Sequence, residues 1–154
     1  MTLYFAYGAN MNRTLMRRHC PGAQEIGTAG LVGCRFIITT DGYASIVPRR
    51  GGRVFGVLWR LTVRDLAALN VYESLDSGLY SKLTLPVRRE GRRMAAVVYV
   101  ARARTGGRPK PGCLDVILEA ARQWDLPAAY VRSLMRWSPS RWRGARAAEC
   151  GELR

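Results

Sequence analysis

Histidine is almost missing from this chain, and lysine nearly so. The 154 residues hold one histidine, His19, and four scattered cysteines, Cys20, Cys34, Cys113 and Cys150, with no C-x-x-C pair. A structural zinc site needs closely spaced Cys/His ligands, and none are offered, so no metal is expected. His19 and Cys20 are neighbours, but adjacent residues on a helix point in different directions. They make a poor dyad and read as a helix end. Metal, thiol and Ser-His chemistry are therefore disfavoured together, and any chemistry would rest on a carboxylate. No apolar run approaches the roughly 18 residues of a membrane span. The apolar start, Leu3 to Tyr7, is too short for a secretory signal and lacks a basic segment before it. A cytoplasmic address is expected by default, and with it free thiols rather than disulfides. There is no low-complexity tract, and the length suits one globular domain.

What the chain does have is positive charge, +14 in all, carried almost wholly by arginine: only Lys82 and Lys110 are lysines among 25 basic residues. The charge is uneven, +4 over residues 1–77 and +10 over 78–154. Such a surplus raises nucleic acid as a partner. The clusters Arg88-Arg89 and Arg92-Arg93, however, flank a Glu90-Gly91 turn and read as a solvated hairpin tip. Aromatic residues are not interleaved with them, as a base-stacking platform would need. A codon bias toward arginine gives the same composition without selection for function, so a nucleic-acid-binding domain is the lesser reading.

Leu3 to Tyr7 reads as a buried strand stopped at Gly8. Asn12 caps a short helix, Arg13 to Cys20, ended by Pro21-Gly22. Glu25 to Thr40 is strand-like, with Gly27, Gly30 and Gly33 marking bends or bulges. Tyr43 to Val47 and Arg53 to Leu61 read as two further strands. Thr62-Val63-Arg64-Asp65 forms a capping box with Asp in the usual Glu place. The helix that follows, with Leu66, Leu69 and Tyr72 on one face, stops before Ser77-Gly78. Leu79 to Arg89 and Met94 to Ala103 pair as a hairpin. Two helices follow Pro111 and Pro127. From Ser138 onward the pattern is lost, which predicts a poorly ordered basic tail over 138–154. The whole is an α+β domain over 1–137, a curved or barrel-like sheet with helices outside.

Two segments could carry chemistry. Tyr7-Gly8-Ala9-Asn10 is a strand end that turns into a helix, where backbone N–H groups are poised to hold an anion. Glu73 stands near the C-terminal end of a predicted helix, where the partial negative charge disfavours ionisation and suits proton exchange. Tyr72 and Tyr80 flank it as walls, hydrogen-bonding groups or core.

Taken together, Leu3-Tyr4-Phe5-Ala6-Tyr7-Gly8-Ala9-Asn10-Met11 and the run Leu69-Asn70-Val71-Tyr72-Glu73 through Gly78-Leu79-Tyr80 resemble the γ-glutamylcyclotransferase-like (AIG2-like) family. The first looks like its Tyr-Gly-Ser-Asn signature and the second like the segment bearing its essential glutamate. Gly42 to Ile46, Val54 to Trp59, Pro109 to Pro111 and Leu126 to Tyr130 agree in order. The resemblance implies a six-stranded mixed β-barrel with flanking helices and a lyase-class enzyme that needs no cofactor. Such an enzyme cyclises a γ-glutamyl amide to 5-oxoproline and frees the amine. It further implies Glu73 as general acid/base, with Tyr7, Gly8, Ala9, Asn10 and Tyr80 about the substrate. Nearby basic residues would suit an anionic glutamyl group, and a homodimer is left open. Ala9 departs from the family's serine. Whether the turn's N–H groups serve the oxyanion or the α-carboxylate stays open, as does the leaving amine. The alternatives are removal of a γ-glutamyl protecting group in specialised metabolism, or a non-catalytic binding module on the same fold.

Overall fold

A computed structural model describes residues 1–73, 78–102 and 106–138. Its strands are β1 (Thr2–Ala6), β2 (Gln24–Ile38), β3 (Ala44–Leu61), β4 (Tyr80–Arg89) and β5 (Arg92–Ala101); its helices are α1 (Arg13–His19), α2 (Val63–Tyr72), α3 (Cys113–Gln123) and α4 (Ala128–Met135). A single 3₁₀ turn, Ala9–Met11, joins β1 to α1. The expected tail beyond Ser138 lies outside the described residues.

The strands close into a barrel in the order β1-β3-β2-β4-β5, with β5 returning parallel to β1 at Tyr4↔Val97. Among the described residues the barrel has five strands, not the expected six. The segments expected at 43–47 and 53–61 fall in one strand, β3, because only Arg49 to Gly52 bulge out and pairing to β2 resumes on both sides, at Pro48 and Arg53. Gly27 and Gly33 sit at the two register shifts of β2, as their left-handed φ of 139° and 84° allows. The β4–β5 hairpin turns on Glu90 (φ 50°) and Gly91 (φ 74°), the pair of left-handed residues that a two-residue turn needs. On β3, Gly56 to Trp59 are buried consecutively, so both faces of the strand are covered there.

The helices begin where their caps predict. Asn12 Oδ1 accepts from the Leu15 N–H at 3.0 Å. Thr62 Oγ1 accepts from the Asp65 N–H, and Asp65 Oδ2 accepts from the Thr62 N–H, both at 3.1 Å. The spare Asp65 oxygen accepts from the Gly22 N–H at 3.2 Å, which pins the start of α2 to the loop after α1. No described helix is long and apolar enough to cross a membrane. Cys20 and Cys34 are free thiols, whereas Cys113 is disulfide-bonded. That corrects the expectation of free thiols throughout, which rested on compartment and not on where the folded chain brings the sulfurs.

Candidate active site

One cavity gathers most of the residues singled out by sequence. It is lined by Tyr7, Gly8, Ala9, Asn10 and Glu73, together with Tyr4, Phe5, Ala44, Tyr72 and Tyr99. β1 delivers the aromatics and ends at Gly8, whose missing side chain lets the turn approach β3: a Cβ there would lie 3.2 Å from that of Ala44. The 3₁₀ turn then closes with Met11 N–H to Gly8 C=O at 3.1 Å and Asn12 N–H to Ala9 C=O at 2.9 Å. The first N–H groups of such a turn have no acceptor within it. Trp124 Nε1, just past α3, donates to the Met11 carbonyl at 2.8 Å and fixes the far end of the turn.

Glu73 is the C-terminal cap of α2 and only 3% exposed. Its backbone N–H donates to the Leu69 carbonyl at 2.8 Å, so the last helical turn sets where its side chain begins. The capping box at the other end of α2 therefore fixes the segment that carries the carboxyl.

Opposite stands a buried polar pair. Asn10 Nδ2 donates to the Tyr4 hydroxyl at 3.1 Å, and Asn10 Oδ1 is buried with no hydrogen-bond partner among the described residues. A buried amide oxygen left without a donor is costly to the fold. Burial, and then the charge of Glu73, raise the Tyr4 phenol well above its ordinary pKa, so it stays a neutral donor. Tyr99 is likewise pushed up, by burial first and Glu73 second, and its hydroxyl donates to Asn70 Oδ1 at 2.7 Å. The Tyr7 hydroxyl donates to the Tyr99 carbonyl at 2.5 Å, and the rings of Tyr4 and Tyr99 meet edge to face at 5.7 Å. These contacts hold the aromatic wall in one arrangement.

Three expectations read differently against this geometry. Tyr80 does not line the cavity; its hydroxyl donates to the Ala44 carbonyl at 2.9 Å, so it braces a wall residue from behind. Ala9 lines the cavity, yet its methyl shares a small apolar cluster with Leu15, Cys113 and Val116. A serine hydroxyl at that Cβ would meet apolar side chains. Among the described residues no arginine or lysine lines the cavity either, so their basic charge is not gathered around Glu73.

Tyr4, Phe5 and Tyr99 were not singled out by sequence reasoning. Tyr4 and Phe5 lay in plain view beside Tyr7, but alternation says only that a strand residue is buried. Tyr99 enters through the closure of β5 onto β1, a contact between distant segments that no local pattern reports.

The fold and part of this sequence recur in known proteins. The model of the AIG2-like family matches residues 53–134, just over half of the chain. Mouse γ-glutamylcyclotransferase is 26% identical over 98% of this chain and 86% of its own, and the human protein of that name is 25% identical over the same shares. A solved structure of a γ-glutamyl cyclotransferase superposes with a TM-score of 0.87 at 24% identity, covering 99% of this chain and 96% of that one. YkqA from Bacillus subtilis superposes with a TM-score of 0.77 over 93% of this chain and 56% of that one.

Proposed function

The chain belongs to the AIG2-like family, and we propose that it is a γ-glutamylcyclotransferase in which Glu73 moves the proton. The observation that carries this reading is a buried carboxyl facing the same cavity as the Tyr7–Asn10 turn. The named relatives over nearly the whole chain support it.

The reaction needs little from the protein. The substrate's α-amine attacks its own γ-carbonyl carbon, a C–N bond closes the five-membered lactam, and the bond from that carbon to the leaving nitrogen breaks. The attacking nitrogen gives up two protons on its way from ammonium to lactam N–H, and the leaving nitrogen gains two to depart as an ammonium. Glu73 relays one of them from the first nitrogen to the second, and the other exchanges through solvent. No water is consumed. Because nucleophile and electrophile are on one molecule, positioning supplies much of the rate and no enzyme nucleophile is required. As a carboxylate Glu73 can take a proton from the attacking nitrogen, and as the resulting acid it can return it to the departing one.

The remaining groups orient the glutamyl moiety. Asn10 Oδ1 is an acceptor without a partner, suited to an ammonium N–H and held in register by Tyr4. With no cationic side chain lining the cavity among the described residues, the turn's N–H groups are suited to hold negative charge on the substrate. Ala9 supplies backbone to that task and nothing through its side chain.

The test is release of 5-oxoproline by purified protein from γ-glutamyl-alanine, the side-chain γ-glutamyl amide of lysine, and glutathione, with Glu73→Gln alongside. Product from at least one, lowered about 10²–10⁴-fold in the variant, is expected. Equal rates in both proteins, or product from none, would contradict the proposal; which substrate reacts identifies the leaving amine.

A further inference from the structure

We propose that the cleft between the β3 bulge and α4 binds a small phosphorylated ligand bearing a flat ring, of the nucleotide class. It lies apart from Glu73, sharing no lining residue with the cavity above.

The cleft is built by a local irregularity. Val32 pairs with Arg53 and Cys34 with Pro48, so four β3 residues, Arg49 to Gly52, stand against the single residue Gly33. Two glycines permit so tight a bulge. Gly51 has φ 76°, and a Cβ on Gly52 would lie 2.4 Å from the Cys34 carbonyl oxygen. The bulge sets Arg49 and Arg53 on its two flanks, Arg35 comes from β2, and Arg136 caps the C-terminal end of α4. Four arginines thus line one cleft of about 370 Å³, and among the described residues no carboxylate lines it. None of the four forms an ion pair among the described residues. A helix end explains Arg136 alone, and a codon bias explains how many arginines there are. Neither explains their convergence. Gathering four cations without a carboxylate, with Arg35 half-buried, is unfavourable unless an anion joins them.

The donors and the walls narrow the anion. The planar guanidinium fork matches phosphate oxygens in a bidentate manner. Phe36 and Trp137 line the same cleft with rings edge to face at 6.4 Å, and Trp137 is only half-buried, leaving apolar ring surface within reach of a base. This is the mixture of arginine and aromatic that the hairpin tip lacks. The size falls within the roughly 300–1,000 Å³ of small-ligand clefts, which favours a nucleotide over a long strand. A second cavity shares Arg53 and adds Arg88, with Arg89 there paired to Glu90.

The experiment is equilibrium dialysis of the full chain at about 0.15 M salt, where surface charge is screened beyond ~8 Å, with ATP, tripolyphosphate and adenosine as separate probes. Saturable binding of one ATP is expected, with tripolyphosphate and adenosine each at least about threefold weaker. The double variant Arg49→Glu/Arg136→Glu should weaken ATP at least about tenfold. Arg17→Glu/Arg64→Glu, which makes the same change in net charge on exposed surface of α1 and α2, should weaken it less than about twofold. Thermal melting of each variant verifies folding. Equal weakening by the two pairs, absence of saturation, tripolyphosphate as tight as ATP, or an oligonucleotide displacing ATP at far lower concentration would each overturn the proposal. Release of 5-oxoproline does not enter this test, so the two readings stand or fall separately.

Discussion

Two concave regions of this molecule, the cavity at Glu73 and the cleft beside α4, are opposites in charge. Among the described residues, the cavity at Glu73 holds one carboxyl, five aromatic rings and an unpartnered amide oxygen, without one cationic side chain. The cleft at the β3 bulge is lined, among the same residues, by four arginines and no carboxyl. A net charge of +14 therefore says nothing about the proposed catalytic site. There, negative charge on the substrate would meet neutral N–H groups, whose alignment is fixed by a turn and costs no reorganisation during reaction. In the cleft, attraction would come from mobile, hydrated side chains.

The largest effect that would sharpen this contrast is at Tyr4. Tyr4→Phe keeps the ring but frees the Asn10 amide. If orientation by fixed neutral groups drives the reaction, kcat/KM should fall about 10- to 100-fold, or ~1.4–2.7 kcal/mol, with ATP binding untouched. Steady-state kinetics on the responsive substrate checks this, and an unchanged kcat/KM would break the comparison. Next in size is Ala9→Ser. Its hydroxyl would be buried in the apolar cluster under α3, at a cost of about 1–3 kcal/mol. Thermal melting should show a loss of roughly 2–4 °C per kcal/mol, while kcat/KM stays within about twofold. A gain in activity would mean that the side chain does reach substrate.

Smaller again is the response to salt. Raising salt from about 0.05 to 0.3 M should change KM for the γ-glutamyl substrate less than about twofold. ATP affinity should fall severalfold, because screening acts on the exposed arginines. Smallest is a pH effect beside the cavity. His19 stacks on Tyr72 with centroids 3.9 Å apart, and burial first, then Arg18, lower its pKa from the ordinary 6.5. Its neutral form is favoured in the fold, so the stability it contributes is present above pH 6.5 and is lost as pH falls through the depressed folded value. Melting curves at pH 7.5 and 5.5 should show a larger loss for the native chain than for His19→Gln.

Much of this was legible in the sequence wherever a local rule governs. Asn12, Thr62 and Asp65 announce their helices because a cap is satisfied within three residues. Glu90-Gly91 announces its turn because so few residue pairs accept two left-handed conformations. The strand count went astray at Pro48 and Gly51-Gly52, which read locally as breakers but are held in one strand by the ladder to β2. The site was half visible. Tyr7 to Asn10 and Glu73 are contiguous signals, and the fold brings them to one cavity. Tyr99 and the bracing role of Tyr80 depend on barrel closure, which is non-local. The arginine cleft was hidden for the same reason: its members are scattered from Arg35 to Arg136, and only the bulge and α4 bring them together.

The central claim is that the substrate's own amine, not water, displaces the leaving group. The direct measurement is turnover of the responsive γ-glutamyl substrate in ¹⁸O-enriched water, with products resolved by mass spectrometry. Intramolecular cyclisation predicts 5-oxoproline without ¹⁸O, no free glutamate, and no reaction when the α-amine is acetylated. Free glutamate carrying ¹⁸O in its γ-carboxyl, or turnover of the acetylated substrate, would contradict it and make the protein a hydrolase.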